Sequence, residues 1–110
     1  MLEPQQVISE STSNGVSAVY TAQWYPHVVA QMIPAIASGK SLTVTLKGSM
    51  VNDIEKAVTC ATATYDHDDD AIPQKLVKPD GEYWLHYWLV IETADAEATI
   101  EEAYIGSGGC

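Results

Sequence analysis

The sequence predicts an all-β protein: an antiparallel β-sandwich, jelly-roll-like, with an extended N-terminal arm. Residues 41–47 (SLTVTLK) alternate apolar and polar side chains with a strict period of two, which is typical of a strand with one buried face. Residues 82–92 (EYWLHYWLVIE) form a longer run of aromatic and β-branched residues. Six or seven short runs of this kind, separated by turn residues and with little helical pattern, favour a sandwich or a small barrel.

The first elements along the chain are less regular. Residues 1–14 are polar, and we expect them to form an arm held by the domain itself or by a neighbouring subunit. A strand is predicted over 16–22, and residues 24–26 (WYP) break it. Residues 27–33 are apolar and few, so their periodicity leaves open a strand or one helical turn before Pro34.

The middle of the chain gives clearer signals. After the 41–47 strand, a short helical turn is predicted over 51–56, because Asn52 or Asp53 can cap it. Residues 57–65 are rich in threonine and alternate, which predicts a strand with small side chains.

The C-terminal half is predicted to contain two more strands. Residues 66–73 form a charged loop, and 78–81 (KPDG) is a turn in which proline presets φ and glycine accepts a positive φ. The 82–92 strand follows, residues 93–96 turn the chain, and 97–105 is expected to return as the second arm of a hairpin.

Length and composition favour a single domain. A chain of 110 residues buries roughly 65% of the surface that its unfolded form exposes, which is enough for one core. Hydrophobic residues make up 46% and charged residues 18%, as in globular proteins. The predicted organisation is an arm over 1–14, a sandwich over 15–106 and a flexible tail over 107–110.

The excess of acidic over basic residues indicates which classes of partner the chain can bind. The chain has 15 acidic residues against 5 lysines, carries a net charge of -10 and contains no arginine. The arginine guanidinium is the side chain that usually binds phosphate through two hydrogen bonds, and a strongly negative surface repels a phosphate backbone. We therefore expect neither nucleic acid nor an anionic membrane as a partner. The acidity can instead imitate nucleic acid or keep a protein soluble at high copy number.

The two cysteines, Cys60 and Cys110, form neither a disulfide framework nor a zinc spacing. The N-terminus lacks the basic start and apolar core of a signal peptide, and no apolar run approaches the length of a membrane span. Synthesis in a reducing cytoplasm is expected.

The 82–92 strand has two apolar faces. One holds Tyr83, Leu85, Tyr87, Leu89 and Ile91, and the other holds Trp84, His86, Trp88 and Val90. Such a strand is either covered on both sides within the domain or presents one face to a protein or a sugar. The arm or another subunit is expected to cover the second face. The side chains expected to anchor the core or an interface are Trp24, Tyr25, Tyr83, Trp84, Tyr87 and Trp88.

A cation site is a weak candidate at Asp66, Asp68 and Asp70, whose carboxylates alternate and suit calcium. The segment lacks the glycine and the distal glutamate of an EF-hand loop, and the alternative is a solvated acidic loop. No metal and no cofactor is therefore expected.

Catalytic motifs are also missing, so an enzyme is not expected. His27, His67 and His86 form no spaced motif, and the sequence contains no GxSxG, P-loop or dinucleotide fingerprint. Ser107 lies in a GSGG tail. A site that joins Cys60 to His67 or His86 is conceivable, but the alternative is a small buried cysteine.

Three segments resemble small β-sandwich virion proteins of tailed bacteriophages. They are SLTVTLKGS (41–49), PDGEYWLHYWLVIE (79–92) and EATIEEAYIG (97–106). The resemblance implies a structural subunit present in many copies: a head decoration, fibre or tail component. It implies self-association or contact with other virion proteins, and location in the virion after synthesis in a bacterial cytoplasm. It carries no catalytic or binding residue.

Two other functions stay open. Small acidic phage proteins also include inhibitors of host proteins, such as anti-CRISPR proteins, some of which mimic nucleic acid. Glu97, Glu101 and Glu102 either form such a phosphate-like row or lie on a solvated edge strand. A carbohydrate-binding module would use Trp24, Trp84 or Trp88 as a stacking platform.

Overall fold

A computed structural model describes residues 2–108 as two antiparallel sheets packed face to face, so the predicted β-sandwich is confirmed. Neither of the two short helical turns in this range could cross a membrane. The strands are β1 (Leu2–Ile8), β2 (Gly15–Val16), β3 (Tyr20–Thr21), β4 (His27–Ile36), β5 (Ser41–Ser49), β6 (Val58–Asp66), β7 (Gln74–Val77), β8 (His86–Glu92) and β9 (Ala98–Gly108). The turns are 3₁₀ helices over Ile54–Lys56 and His67–Asp69.

The strands divide unevenly between the sheets. One sheet has the order β1-β9-β4-β7, and the other has the order β2-β8-β5-β6 with β3 also paired to β8. All pairs are antiparallel. Only β5 and β6 are consecutive long strands joined within one sheet, so most connections carry the chain from one sheet to the other.

The core lies between the sheets and follows the period-two pattern. On β5, Leu42, Val44 and Leu46 are buried while Thr43 and Thr45 face outward. A buried hydrogen bond also joins the sheets, between the Tyr20 hydroxyl of β3 and the Ser107 hydroxyl of β9 at 2.7 Å. The side chains buried most completely are Tyr20, Tyr87, Met32, Ile36, Leu42, Leu46, Leu89, Ile91, Ile100, Ile105, Val28 and Val44.

The N-terminal segment is a strand of the sandwich rather than an arm outside it. β1 pairs with β9, and Val7 and Ile8 are buried in the core. At the other end of the chain, β9 continues through Ser107 to Gly108, so these residues belong to the sheet and not to a tail. Met1, Gly109 and Cys110 lie outside the described residues.

The aromatic strand is shorter than its sequence suggests. β8 begins at His86, and residues 82–85 form a loop, because Trp84 leaves the strand path to pack over Gly48. The Trp84 backbone N–H donates to the Tyr87 hydroxyl at 3.2 Å, and the Leu85 backbone N–H donates to the Ser49 carbonyl at 3.2 Å. Tertiary packing thus overrides the β propensity of these residues.

The predicted β8–β9 hairpin is wrong. β8 is already bonded to β5 along one edge and to β2 and β3 along the other, so no edge is left for β9. After Glu92 the chain therefore crosses to the other sheet, where β9 lies between β1 and β4.

Other elements match more closely. The segment that begins at His27 is a strand, and its register shifts at Pro34, as expected for a proline within a sheet. The helical turn predicted over 51–56 is confirmed, with the Asp53 carboxylate accepting the Glu55 N–H. The strand predicted over 16–22 is instead two two-residue strands, and β7 had no clear sequence signal.

The connections gather at two ends of the sandwich. The aromatic end is made of the connections 22–26, 50–57 and 78–85. They lie together because Ser49 pairs with His86 and the Ala22 N–H donates to the Leu85 carbonyl. The acidic end is made of 9–14, 37–40, 67–73 and 93–97.

Candidate functional site

The aromatic end combines the most exposed aromatic side chains with several exposed aliphatic ones. Trp24 is 59% exposed and Tyr83 is 53% exposed, and both lie in connections at this end. Met50 and Val51, in the β5–β6 connection, are also exposed. Large apolar side chains in contact with water at one place often mark a surface that another molecule covers.

Trp24 is presented by a strained turn. The Tyr25 N–H donates to the Ala22 carbonyl at 3.1 Å, which closes a turn around Gln23 and Trp24. Both central residues have positive φ, 52° and 67°, where Asn and Gly are the usual residues. A left-handed conformation at a bulky residue costs on the order of 1–2 kcal/mol, so the turn holds the Trp24 backbone against its local preference.

Lys78 holds the connection that carries Tyr83. Its side chain is buried, at 3% exposure, and its ammonium donates to the Pro79 carbonyl at 2.9 Å and to the Glu82 carbonyl. The same ammonium lies 5.4 Å from the centre of the Tyr83 ring, within cation–π range. The loop is thereby closed on itself with Tyr83 on its outside.

Trp84 supports the aromatic end from within. It packs against the core, and its indole lies over Gly48, where a Cβ would come within 2.7 Å of the ring. Its Nε1 is buried and lacks a hydrogen-bond partner among residues 2–108. Gly48 is therefore required for close approach rather than for backbone freedom.

An apolar groove of about 310 Å³ lies beside this end on the outer face of the β1–β9–β4–β7 sheet. Gly106 leaves its floor without a side chain, and Pro4, Val29 and Val77 form its walls. At its mouth the Nδ1 of His27 lies 3.8 Å from a carboxylate oxygen of Asp80. The groove has the size of one large side chain or one ring, with a polar pair at its rim.

The six predicted anchors separate into core and surface. Trp24 and Tyr83 are exposed, Tyr25 and Trp84 are half-buried, and Tyr87 is fully buried in the core.

Trp88 is buried outside the core, on the outer face of the β2–β8–β5–β6 sheet, where Lys47 lies opposite it and the His86 ring is 6.3 Å away. β1 does not cover this face, because it belongs to the other sheet. Of the three proposed stacking platforms, the structure leaves only Trp24 well exposed.

Three carboxylates of the acidic loop, those of Asp66, Asp69 and Asp70, bond to the protein's own backbone. Asp66 and Asp69 form a capping box around the 3₁₀ turn. Asp70 accepts the Ile36 N–H at 2.7 Å, and the His67 Nδ1 donates to the Ile36 carbonyl at 2.6 Å. Within the described residues, no three His, Cys, Asp or Glu side chains are grouped so as to hold a metal ion. Of the weak candidates Asp66, Asp68 and Asp70, the first thus caps the 3₁₀ turn and the last joins the loop to the end of β4.

The other sequence candidates lie in structural settings. Burial raises the pKa of the Cys60 thiol to about 11, with a smaller contribution from Glu82, so the reactive thiolate is scarce at neutral pH. Ser107 is buried and bonded to Tyr20. Glu101 and Glu102 lie on β9, an inner strand and not an edge, and Glu101 accepts bonds from Ser11 and Thr99.

No protein-family model matches the chain, and no curated protein matches it.

Proposed function

We propose that this chain is a non-enzymatic structural subunit of a phage virion, a capsid decoration or a fibre or tail component, that docks through its aromatic end. The observation that carries the proposal is the exposure of Trp24 and Tyr83 at one end of the domain, each on a constrained loop. Rigid exposed aromatics lose little conformational entropy on binding and are the usual anchors of protein interfaces.

The order of the strands supports the proposal. We propose that the sandwich is a jelly roll. With β2 and β3 counted as one interrupted strand, first pairs with last, second with seventh, third with sixth and fourth with fifth. This is one long hairpin wrapped into two sheets, the arrangement of two Greek keys that viral capsid and lectin domains use. Fold by itself does not give function, so the aromatic end carries the argument.

Charge supports docking by the same end. The connections of the acidic end contain six carboxylates and one lysine, whereas those of the aromatic end contain four carboxylates and two lysines. Copies with a net charge of -10 repel one another least where carboxylates are fewest. The aromatic end is then the docking surface, and the acidic end faces solvent.

The experiment is mass spectrometry of virions purified from the bacterium that expresses the chain. We expect the chain in many copies per particle, and we expect a Trp24→Ser, Tyr83→Ser double variant to fold normally and to be absent from particles. Val16→Ser is the matched control, because Val16 is 50% exposed but lies on β2, away from this end. Virions that lack the wild-type chain, or that retain the double variant, would contradict the proposal.

A carbohydrate-binding module is the second candidate, and the exposed Trp24 indole at the same end of the domain as the groove favours it. An aromatic face stacks on the apolar side of a sugar ring, and the His27–Asp80 pair offers polar contacts at the rim. A glycan array with the wild-type chain and Trp24→Ala tests it. Binding that disappears in the variant would favour this candidate over docking on protein.

A further inference from the structure

We infer that two copies of this chain pair edge to edge through β6, antiparallel and across a two-fold axis. β6 ends the five-stranded sheet, and among the described residues it is bonded only to β5. An unpaired strand edge offers a row of backbone donors and acceptors to another chain. This surface is separate from the aromatic end, and the pairing does not depend on the proposed docking there.

The other three sheet edges are protected. β1 contains Glu3 and Pro4 and has two register shifts along its pairing with β9. β7 has only four residues, and one of them is Lys75. β2 and β3 have two residues each, with 17–19 between them. Proline, charge, irregularity and shortness are the devices by which proteins keep strand edges from pairing.

β6 lacks most of these devices. It has nine residues, no proline, and no charged residue from Ala57 to Tyr65. Its one irregularity is the register shift near Cys60, where Leu46 pairs with Ala61 and Lys47 pairs with Thr59. A regular uncharged edge therefore remains over 61–65, in a protein whose net charge of -10 would otherwise keep copies apart.

The backbone groups on this edge can be assigned. The Val44 carbonyl faces β6, because it accepts the Thr62 hydroxyl at 3.2 Å, and Val44 pairs with Ala63. Backbone groups alternate in direction along an antiparallel strand, so Ala63 bonds to β5 while Thr62 and Thr64 direct their N–H and C=O outward. Two residues in every copy thus offer two donors and two acceptors.

The side chains of this edge are ordered in the single chain. The Thr64 hydroxyl lies 3.1 Å from the Thr43 hydroxyl, and the Thr62 hydroxyl lies 3.2 Å from the Thr45 hydroxyl. Because these bonds hold β6 against β5, pairing costs little further side-chain entropy.

A second copy fits this edge better than an unrelated strand because the two ends of β6 complement each other. On the N-terminal side of the uncharged run lie Glu55 and Lys56, with Lys56 next to the run, and Asp66 and Asp68 follow on its C-terminal side. Antiparallel two-fold pairing brings Lys56 of each copy toward the Asp66 and Asp68 carboxylates of the other, at both ends of the seam.

The test is the molar mass of the isolated chain by light scattering across a concentration series. We expect twice the 11.9 kDa of one chain. Thr64→Pro removes an outward N–H and is expected to weaken the dimer about tenfold or more, whereas Thr64→Val keeps that N–H and should keep the dimer. The Trp24→Ser, Tyr83→Ser variant should also stay dimeric, which separates this inference from the proposed function.

A second pair of variants covers the case in which Thr64→Pro does not fold. Thr62→Lys places two like charges at the seam, and Thr45→Lys adds the same charge one strand inward while breaking the same hydroxyl pair. We expect dissociation with Thr62→Lys alone. A wild-type chain that is monomeric at every concentration, or a dimer that Thr62→Lys leaves intact or that Thr45→Lys dissolves equally, would overturn the inference.

Discussion

At the acidic end of the sandwich, carboxylates and His67 bond to backbone groups of the domain, whereas at the aromatic end the largest side chains are left at the surface. Asp70 and His67 together occupy the N–H and C=O of Ile36. Trp24 and Tyr83, in contrast, face solvent on loops that the protein constrains. Short polar side chains stabilise the fold by capping it, whereas Trp24 is more than half exposed on a turn whose positive φ values cost stability. The difference points to the aromatic end as the place where another molecule is needed.

Alkaline pH should lower the stability of the fold through two buried groups of the core, Tyr87 and Cys60. Burial raises the pKa of Tyr87 from its ordinary value of 10.0 to about 12, and the pKa of Cys60 from its ordinary value of 9.0 to about 11. A group whose pKa is higher in the folded state stabilises the fold below its unfolded pKa and loses that contribution as pH rises through the folded pKa. The urea midpoint should therefore fall between about pH 9 and about pH 12.

Single substitutions can show which side chains cause the fall in urea midpoint at alkaline pH. Tyr87→Phe and Cys60→Ala should flatten the fall, each removing one of the two groups. Tyr65→Phe is the comparison, because burial also raises the pKa of Tyr65, which lies at the acidic end of β6. Equal pH profiles in the wild type and in both of the first two variants would contradict the assignment.

Gly48→Ala tests how tightly Trp84 supports the aromatic end. A Cβ there would meet the indole at 2.7 Å, so we expect a loss of about 1–3 kcal/mol in the free energy of unfolding and a shift in tryptophan fluorescence. Gly106→Ala is the control, since its Cβ would meet Pro4 at an ordinary 3.4 Å. Denaturant titration measures both, and similar losses in the two variants would mean that glycine conformation, and not contact with Trp84, sets the cost.

Asp70→Ala tests the capping role of the acidic end. Its loss leaves the half-buried Ile36 N–H without its acceptor, and we expect about 1–2 kcal/mol of destabilisation. Asp68→Ala, an exposed neighbour whose carboxylate makes no such bond, should change stability by no more than about 0.5 kcal/mol. If both variants behave alike in thermal unfolding, loop charge rather than the Ile36 bond is responsible.

Gln23→Gly is expected to have the smallest effect and the opposite sign. Glycine adopts positive φ without strain, so the variant should gain about 0.5–1 kcal/mol, after the entropy that it adds to the unfolded chain is subtracted. Gln23→Ala keeps the strain and should gain nothing. A shift in urea midpoint that is equal in both variants would show that the turn around Trp24 is not strained.

Local patterns were enough to predict the sandwich class. The alternation of Leu42, Val44 and Leu46 with threonines depends only on the two-residue repeat of a strand, and the structure buries these three residues as predicted. The turn over 51–56 was predictable for the same reason, because a cap and its helix are neighbours in sequence. β7 escaped prediction, because four residues are too few for a period to show.

Which strands pair, and which aromatics are exposed, was decided by tertiary structure. Residues 82–92 have one continuous β-forming composition, yet Trp84 leaves the strand to cover Gly48, 36 positions away in sequence, and Tyr83 is left in solvent. β9 follows β8 closely in sequence but joins the other sheet, because both edges of β8 are taken by strands from earlier in the chain. Side-chain alternation is a property of one segment, so the sequence by itself determined it. Sheet assignment and aromatic exposure depend on which distant segments occupy the free strand edges and the space in the core. Only the tertiary structure decides these.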